Sequence, residues 1–152
     1  MRMNIRMKTR TILCAVLISL TFLPTLGPSQ HAPDPETLLV SVNSAGTGSG
    51  NSDSSANVMS ADGRFVAFHS GASDLVPSDT NGTEDVFVRD LKTGATTLVS
   101  VNNAGTGSGN SFSDSPVISA DGRFVAFRSG ASNLVANDTN GNFDVFVRSL
   151  KK

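Results

Sequence analysis

The sequence predicts an all-β fold made of two four-stranded antiparallel repeats of about 59 residues each. Residues 37–93 align with residues 96–152 at a constant offset of 59, and 42 of the 57 aligned positions are identical. Within each copy, runs of β-branched and aromatic residues alternate with turn sequences, and no segment has helical spacing with caps. Two copies this similar are expected to share one local structure.

The first 29 residues have the build of a secretory signal peptide. Four basic residues and no acidic one precede an apolar run, Thr11–Leu23, which stops at Pro24. Its 13 residues are fewer than the roughly 20 that span a membrane as a helix. Small residues at Gly27 and Ser29 suggest cleavage after Ser29, which makes residues 30–36 a linker. We expect a secreted or periplasmic protein with no membrane span after cleavage; the alternative is an uncleaved anchor.

The part that remains after cleavage is acidic. It has eight basic and thirteen acidic residues, a net charge of −5, with no cationic stripe. This balance argues against binding to nucleic acid or to anionic membranes. The single cysteine, Cys14, lies in the apolar run, so the mature chain is expected to form no disulfide.

Four strands are predicted in each repeat, at equivalent positions in the two copies. In the first copy these are Thr37–Asn43, Val58–Ser60, Arg64–His69 and Asp85–Leu91, and the equivalents of the first two in the second copy are Thr96–Asn102 and Val117–Ser119. Asp62-Gly63 is a hairpin turn, because glycine accepts positive φ without steric cost. The Gly/Ser-rich segments 45–51 and 104–110 lack the ending of a phosphate-binding loop, and we predict flexible surface loops there.

Two motifs of the repeat resemble a known family. Ser60-Ala-Asp-Gly-Arg-Phe-Val-Ala-Phe68 and Asp85-Val-Phe-Val-Arg89 are similar to the WD-like propeller repeat of the TolB type, over residues 37–152. Alanine stands at Ala61 and Ala120, where that family usually has proline. The resemblance implies β-propeller blades: residues 37–102 would be an outer strand plus the first blade, and 103–152 a second blade without its outer strand.

Two blades do not close a ring, since propellers have 4–8. The chain is therefore either part of a longer propeller or a blade pair that assembles. In the second case Thr37–Asn43 could complete a neighbour's blade, and a trimer would give six blades. Both alternatives remain open at this point.

One loop of each repeat carries candidate metal ligands. Oxygen-bearing side chains at positions 1, 3 and 7 of this loop are candidate ligands of Ca²⁺, which takes 6–8 oxygen ligands. The residues are Asp79, Asn81, Asp85, Asp138, Asn140 and Asp144. The alternative is an Asx turn in which Asp79 bonds its own backbone. No other cofactor is expected.

The remaining candidates favour structural roles. His69 is replaced by Arg128 in the second copy, and no nucleophile–base set can be assembled around it, so we predict no enzyme activity. The repeated phenylalanines have strand spacing and are predicted to form the core between blades rather than a sugar-stacking surface: Phe65, Phe68, Phe87, Phe124, Phe127 and Phe146. Phe112 and Phe143 interrupt the repeat and are expected to be exposed.

These observations predict an exported, non-catalytic binding module that contacts protein, with homo-oligomers as a second form of partner. The resemblance implies a role in protein–protein contacts of the cell envelope. Two alternatives are a fragment of the propeller domain of a secreted hydrolase, such as a prolyl-oligopeptidase-like peptidase, and a sugar-binding propeller assembled from two-blade chains.

Overall fold

The computed structural model describes residues 36–150. The predicted signal peptide with Cys14, and residues 30–35 of the predicted linker, lie outside the described residues. All of the strands given below belong to the compact unit that begins at Thr37. The described part of the chain contains no helix long and apolar enough to cross a membrane.

The fold is all-β, as predicted, with two antiparallel sheets. The strands are β1 (Ser54–Met59), β2 (Phe65–Ser70), β3 (Asp85–Asp90), β4 (Ala95–Leu98), β5 (Ser113–Ile118), β6 (Phe124–Ser129) and β7 (Asp144–Ser149). The first sheet has the order β1-β2-β3-β4, and the second has the order β5-β6-β7. Among residues 36–150, the second sheet therefore has three strands, whereas the first sheet has four.

The strand register is the same in both sheets. In the first sheet Phe68 pairs with Phe87, and in the second Phe127 pairs with Phe146. Their rings stack with centroid distances of 5.6 and 5.8 Å. A slip of one residue would turn every side chain to the opposite face, so these paired rings help to fix the register.

The Ser-Ala-Asp-Gly-Arg motif forms the turn between β1 and β2. The Ser60 hydroxyl donates to Asp62 (2.6 Å) and accepts the amide of Phe65 (2.9 Å). Asp62 also accepts the amide of Arg64 (3.1 Å), and Gly63 has a φ of +70° that favours glycine. Ser60 and Asp62 therefore stabilise the turn, since the side chain of each accepts a backbone amide in it.

The first strand of each sheet is longer than predicted and is bulged. The prediction covered Val117–Ser119, whereas β5 begins at Ser113 and shifts register between Asp114 and Val117. Ser115, inside the bulge, has a φ of +52°. The polar sequence before Val117 hides this strand, because a bulge interrupts the alternation that sequence patterns detect.

The outermost predicted strands need correction. Thr37–Asn43 forms no strand; residue Val42 makes an isolated bridge to Ser49. Its counterpart Thr96–Asn102 contains the shorter strand β4, which ends at Leu98. Thr37–Asn43 has the sequence of a strand, but the described residues place no partner strand beside it.

The hydrophobic core lies largely between the two sheets. Side chains of one face of the first sheet, including Val86 and Val88, pack against Phe127 and Leu134 of the second repeat. A second cluster contains Phe68, Phe87 and Leu75 on the opposite face of the first sheet. The structure distributes the predicted core phenylalanines as follows: Phe68, Phe87 and Phe127 are buried, Phe65 and Phe146 are partly buried, and Phe124 is exposed. The prediction for Phe124 was wrong because it lies on the outer face of the second sheet.

Candidate functional site

The loop between β2 and β3 carries the predicted ligands and is held by the segment that follows β4. The side-chain nitrogen of Asn81 donates to the backbone oxygen of Gly109 (2.8 Å), and the side-chain oxygen of Asn81 accepts from the backbone amide of Thr83 (2.9 Å). The amide of Thr80 donates to the hydroxyl of Ser108 (3.0 Å). The loop therefore has an Asx turn at Asn81, and both ends of that amide are already in use.

Two carboxyl groups of this loop are buried together. Asp85 accepts a hydrogen bond from the Ser100 hydroxyl (2.5 Å), while its second oxygen has no partner among the described residues. Neither oxygen of Asp79, which is also buried, receives a hydrogen bond of ordinary geometry from the described residues. Sequence reasoning found both residues but not their burial, which comes from the segment around Ser100 and Ser108.

Burial changes how these acids titrate. Loss of solvation is the main cause that raises the pKa of Asp85 to about 7; the Ser100 hydroxyl opposes this rise, and the nearby charge of Asp79 adds to it. Burial also raises the pKa of Asp79, against weaker interactions with Asp85, Asn81 and Ser108. The pair is therefore expected to retain a proton close to neutral pH.

A cation could replace that proton, since Ca²⁺ binds carboxylate oxygens. The described residues contain no group of three or more histidine, cysteine, aspartate or glutamate side chains suited to a metal ion. With the amide of Asn81 engaged, Asp79 and Asp85 supply the side-chain oxygens left without partners in this loop. The calcium site stays a prediction and concerns two carboxylates rather than three ligands.

The second copy of the loop has the same residues in a different setting. Asp138 and Asp144 are half-buried rather than buried. The Asn140 amide donates to Asp144 (2.8 Å), whereas the matching Asn81 donates to the backbone of Gly109. In the described structure the second loop has no following segment over it.

One face of the second sheet is apolar and open. Val145 and Val147 on β7 are 78% and 67% exposed. The equivalent Val86 and Val88 on β3 are 0% and 3% exposed, because the second repeat covers them. The strand β7 is also the edge of its sheet. The second sheet thus presents the apolar face and the edge that the first sheet has covered.

A groove of about 560 Å³ lies between the ends of the two sheets. Its wall contains the ion pair between Arg64 and Asp90 (2.7 Å) and the side chain of Arg148. Apolar side chains such as Leu98 and Leu150 line the rest. Sequence reasoning missed this groove, because its lining combines residues from both repeats.

The environment of His69 differs from that of its counterpart. The His69 ring lies 3.9 Å from the Glu84 carboxylate, and its Nδ1 is buried without a partner among the described residues. Arg128 at the equivalent position forms two hydrogen bonds with Asp114 (2.6 and 2.9 Å) and stacks over the ring of Phe143. Phe143 is exposed as predicted, while Phe112 is half-buried and packs edge-on against it.

Comparison of the chain with protein-family models, curated proteins and solved structures found no match.

Proposed function

We propose that the protein is an exported, non-catalytic interaction module, a pair of blades of a TolB-like β-propeller, which binds protein through the open sheet β5-β6-β7. The internal repeat, the two antiparallel sheets and the basic, then apolar, N-terminal sequence support this proposal.

The observation that carries the proposal is the contrast between two equivalent valine pairs. Val86 and Val88 are buried beneath a neighbouring sheet, and Val145 and Val147 are open. Exposed apolar side chains this close together on one face are typical of surfaces that bind another protein. Edge strands also bind extended segments through their free backbone groups. The open sheet offers both an apolar face and an edge.

The polar candidates favour structural roles over catalysis. The buried acids Asp79 and Asp85 lie beneath the segment that holds their loop, so a substrate has no direct access to them. No described serine or threonine hydroxyl bonds to His69, and so this histidine has no nucleophile to activate.

Site-specific photo-cross-linking tests the proposal. A photo-reactive amino acid at Val147 should yield a discrete cross-linked species in cells that export the protein. The same group at Lys92, in an exposed turn of the first sheet, serves as the control. Equal or absent cross-linking at the two positions would reject the open sheet as a binding surface.

A further inference from the structure

The chain contains two copies of the segment that leads into a sheet, and both are held in the same way on the sheet that follows. In the first copy Gly50 donates its amide to Ser41 (2.8 Å), and in the second Gly109 donates to Ser100 (2.8 Å). The bridge Val42–Ser49 has its equivalent in Val101–Ser108. Position by position, residues 40–51 therefore repeat the structure of residues 99–110.

The residues just before these two segments differ in structure. Residues 95–98 form β4, which pairs with β3, and Leu98 is 5% exposed. Residues 36–40 form no strand, and the equivalent Leu39 is 53% exposed. Residues 37–39 thus have the same place in the repeat as β4, but no strand of the described residues pairs with them.

The second sheet lacks this same strand. In the first sheet, Phe87 pairs with Leu98 and Val88 pairs with Thr97. At the repeat offset of 59, these pairs become Phe146 with Leu39 and Val147 with Leu38. In a single chain both halves of this junction are open, because Leu38, Leu39 and Val147 are all exposed.

We infer that residues 37–39 of one copy of the chain pair with β7 of a second copy and complete its sheet. This inference rests on the proposed function and identifies the protein partner as a second copy of the chain. The donated strand would lie antiparallel to β7, as β4 lies along β3. The first sheet of the donor would follow the second sheet of the acceptor, as the second repeat follows the first within one chain. The occupant of the open face is then another repeat of the same protein.

The polar groups that join the two repeats within one chain have equivalents at the inferred junction between two copies. Within the chain, Ser100 bonds Asp85 and the amide of Val86, and the backbone oxygen of Gly109 accepts from Asn81. In the donor copy, Ser41 is equivalent to Ser100 and Gly50 is equivalent to Gly109. They would meet Asp144, Val145 and Asn140 of the acceptor. The hydrogen bond from Asn140 to Asp144 would then give way to one with the backbone of Gly50.

A junction of this kind is head-to-tail, because two different surfaces meet. In a pair of copies, the donor still has a free strand β7, and the acceptor still has free residues 37–39. Such contacts either close into a ring or continue as a filament. Three copies contain six repeats, a number within the range in which propellers close.

Two charge substitutions separate the halves of the junction. Leu39→Asp disables the donated segment, and Val147→Asp disables the acceptor strand. Both side chains are exposed in the single chain, so neither change should disturb its folding. Ala45→Asp is the matched control, because Ala45 is exposed and its equivalent Ala104 stays exposed where the two repeats of one chain meet. Native mass is measured by size exclusion with light scattering for each variant of the processed full-length protein, and circular dichroism checks that each is folded.

The wild type and Ala45→Asp should have the mass of a whole number of copies greater than one. Leu39→Asp and Val147→Asp should each be monomeric, and their equimolar mixture should form a heterodimer, since one intact donor then meets one intact acceptor. A monomeric wild type, an oligomeric Val147→Asp variant or a mixture that stays monomeric would overturn the inference. If the wild type is monomeric while Val147 cross-links to a different protein, the proposed function stands and this inference fails; without cross-linking, both fail.

Discussion

Asp85 and Asp79 place two carboxyl groups where water does not solvate them, and this sets how stability depends on pH. The pKa of Asp85 rises from its ordinary 3.8 to about 7 on folding. The native state therefore holds a proton between these pH values that the unfolded chain has lost, and stability falls as pH rises from about 4 to 7. At 1.36 kcal/mol per unit, the change is on the order of 4 kcal/mol.

The substitution Asp85→Asn tests this account. An amide can still accept from Ser100 and carries no charge, so the variant should lose most of this pH dependence and should be more stable than wild type at pH about 8. Urea unfolding at fixed protein concentration, at pH about 5 and 8, measures both effects. Asp74→Asn is the control, because the second repeat has asparagine at the equivalent position, Asn133, where its side chain accepts the same backbone hydrogen bond. A pH dependence that survives in Asp85→Asn would contradict the assignment.

The predicted calcium site makes a separate prediction at the same residues. A Ca²⁺ ion between Asp79 and Asp85 would replace the shared proton and would stabilise the native state by mass action. The melting temperature of the wild type at alkaline pH should then rise with Ca²⁺ but not with Mg²⁺, and Asp79→Asn should abolish the rise. An unchanged melting temperature in Ca²⁺ would reject the site and leave the proton as the neutralising species.

At this scale the sequence identified the acidic loop but not its environment. The repeat placed Asp79 and Asp138 in equivalent positions, and from the sequence the two loops look alike. Their different burial comes from Ser108 and Gly109, which cover the first loop and have no counterpart over the second. Such a contact depends on what lies next to a repeat, and the residues of the repeat itself do not encode it.

At the scale of elements, strand prediction succeeded where apolar residues alternate. It failed where strand formation depends on pairing with a neighbouring strand. The strands β2 and β3 agree with the predicted segments to within one residue at each end. The bulged β1 and β5 begin earlier than predicted, since their first residues are polar. Thr37–Asn43 shares most of its sequence with Thr96–Asn102, yet residues 96–98 pair with β3 and residues 37–39 do not pair. The difference is that β3 lies beside residues 96–98, while the described residues place no strand beside residues 37–39.

The register of the inferred junction can be tested with cysteines. Leu38→Cys and Val147→Cys in one chain, with Cys14→Ser, should form a disulfide between copies under mild oxidation. The equivalent positions Val88 and Thr97 are paired within the chain, so Val88→Cys with Thr97→Cys is the control for whether this geometry permits a disulfide. Denaturing electrophoresis without reductant distinguishes cross-linked copies from single chains, and the loss of free thiols reports the disulfide within the control chain. Cross-linking in the control but not between Leu38 and Val147 positions would contradict the register.

At the scale of the whole molecule, the repeat offset itself suggests how copies could be joined. Lys152 is equivalent to Thr93 and Glu36 is equivalent to Ala95. A single glycine between Lys152 and Glu36 would take the place of Gly94, whose φ of +71° favours glycine. Chains linked in this way keep the 59-residue spacing without interruption.

We therefore predict that three copies of Glu36–Lys152, joined by single glycines, fold as one compact chain of six repeats. Each internal copy of residues 37–39 would join the preceding sheet covalently, so the tandem protein should be monomeric and should match the wild-type oligomer in hydrodynamic radius. Its unfolding should also no longer depend on protein concentration, because association has become intramolecular. Light scattering and denaturant unfolding at two concentrations provide the measurements. A tandem chain that aggregates, while a chain of two joined copies stays soluble and monomeric, would show that six repeats do not close and that the head-to-tail contact leads to open assemblies.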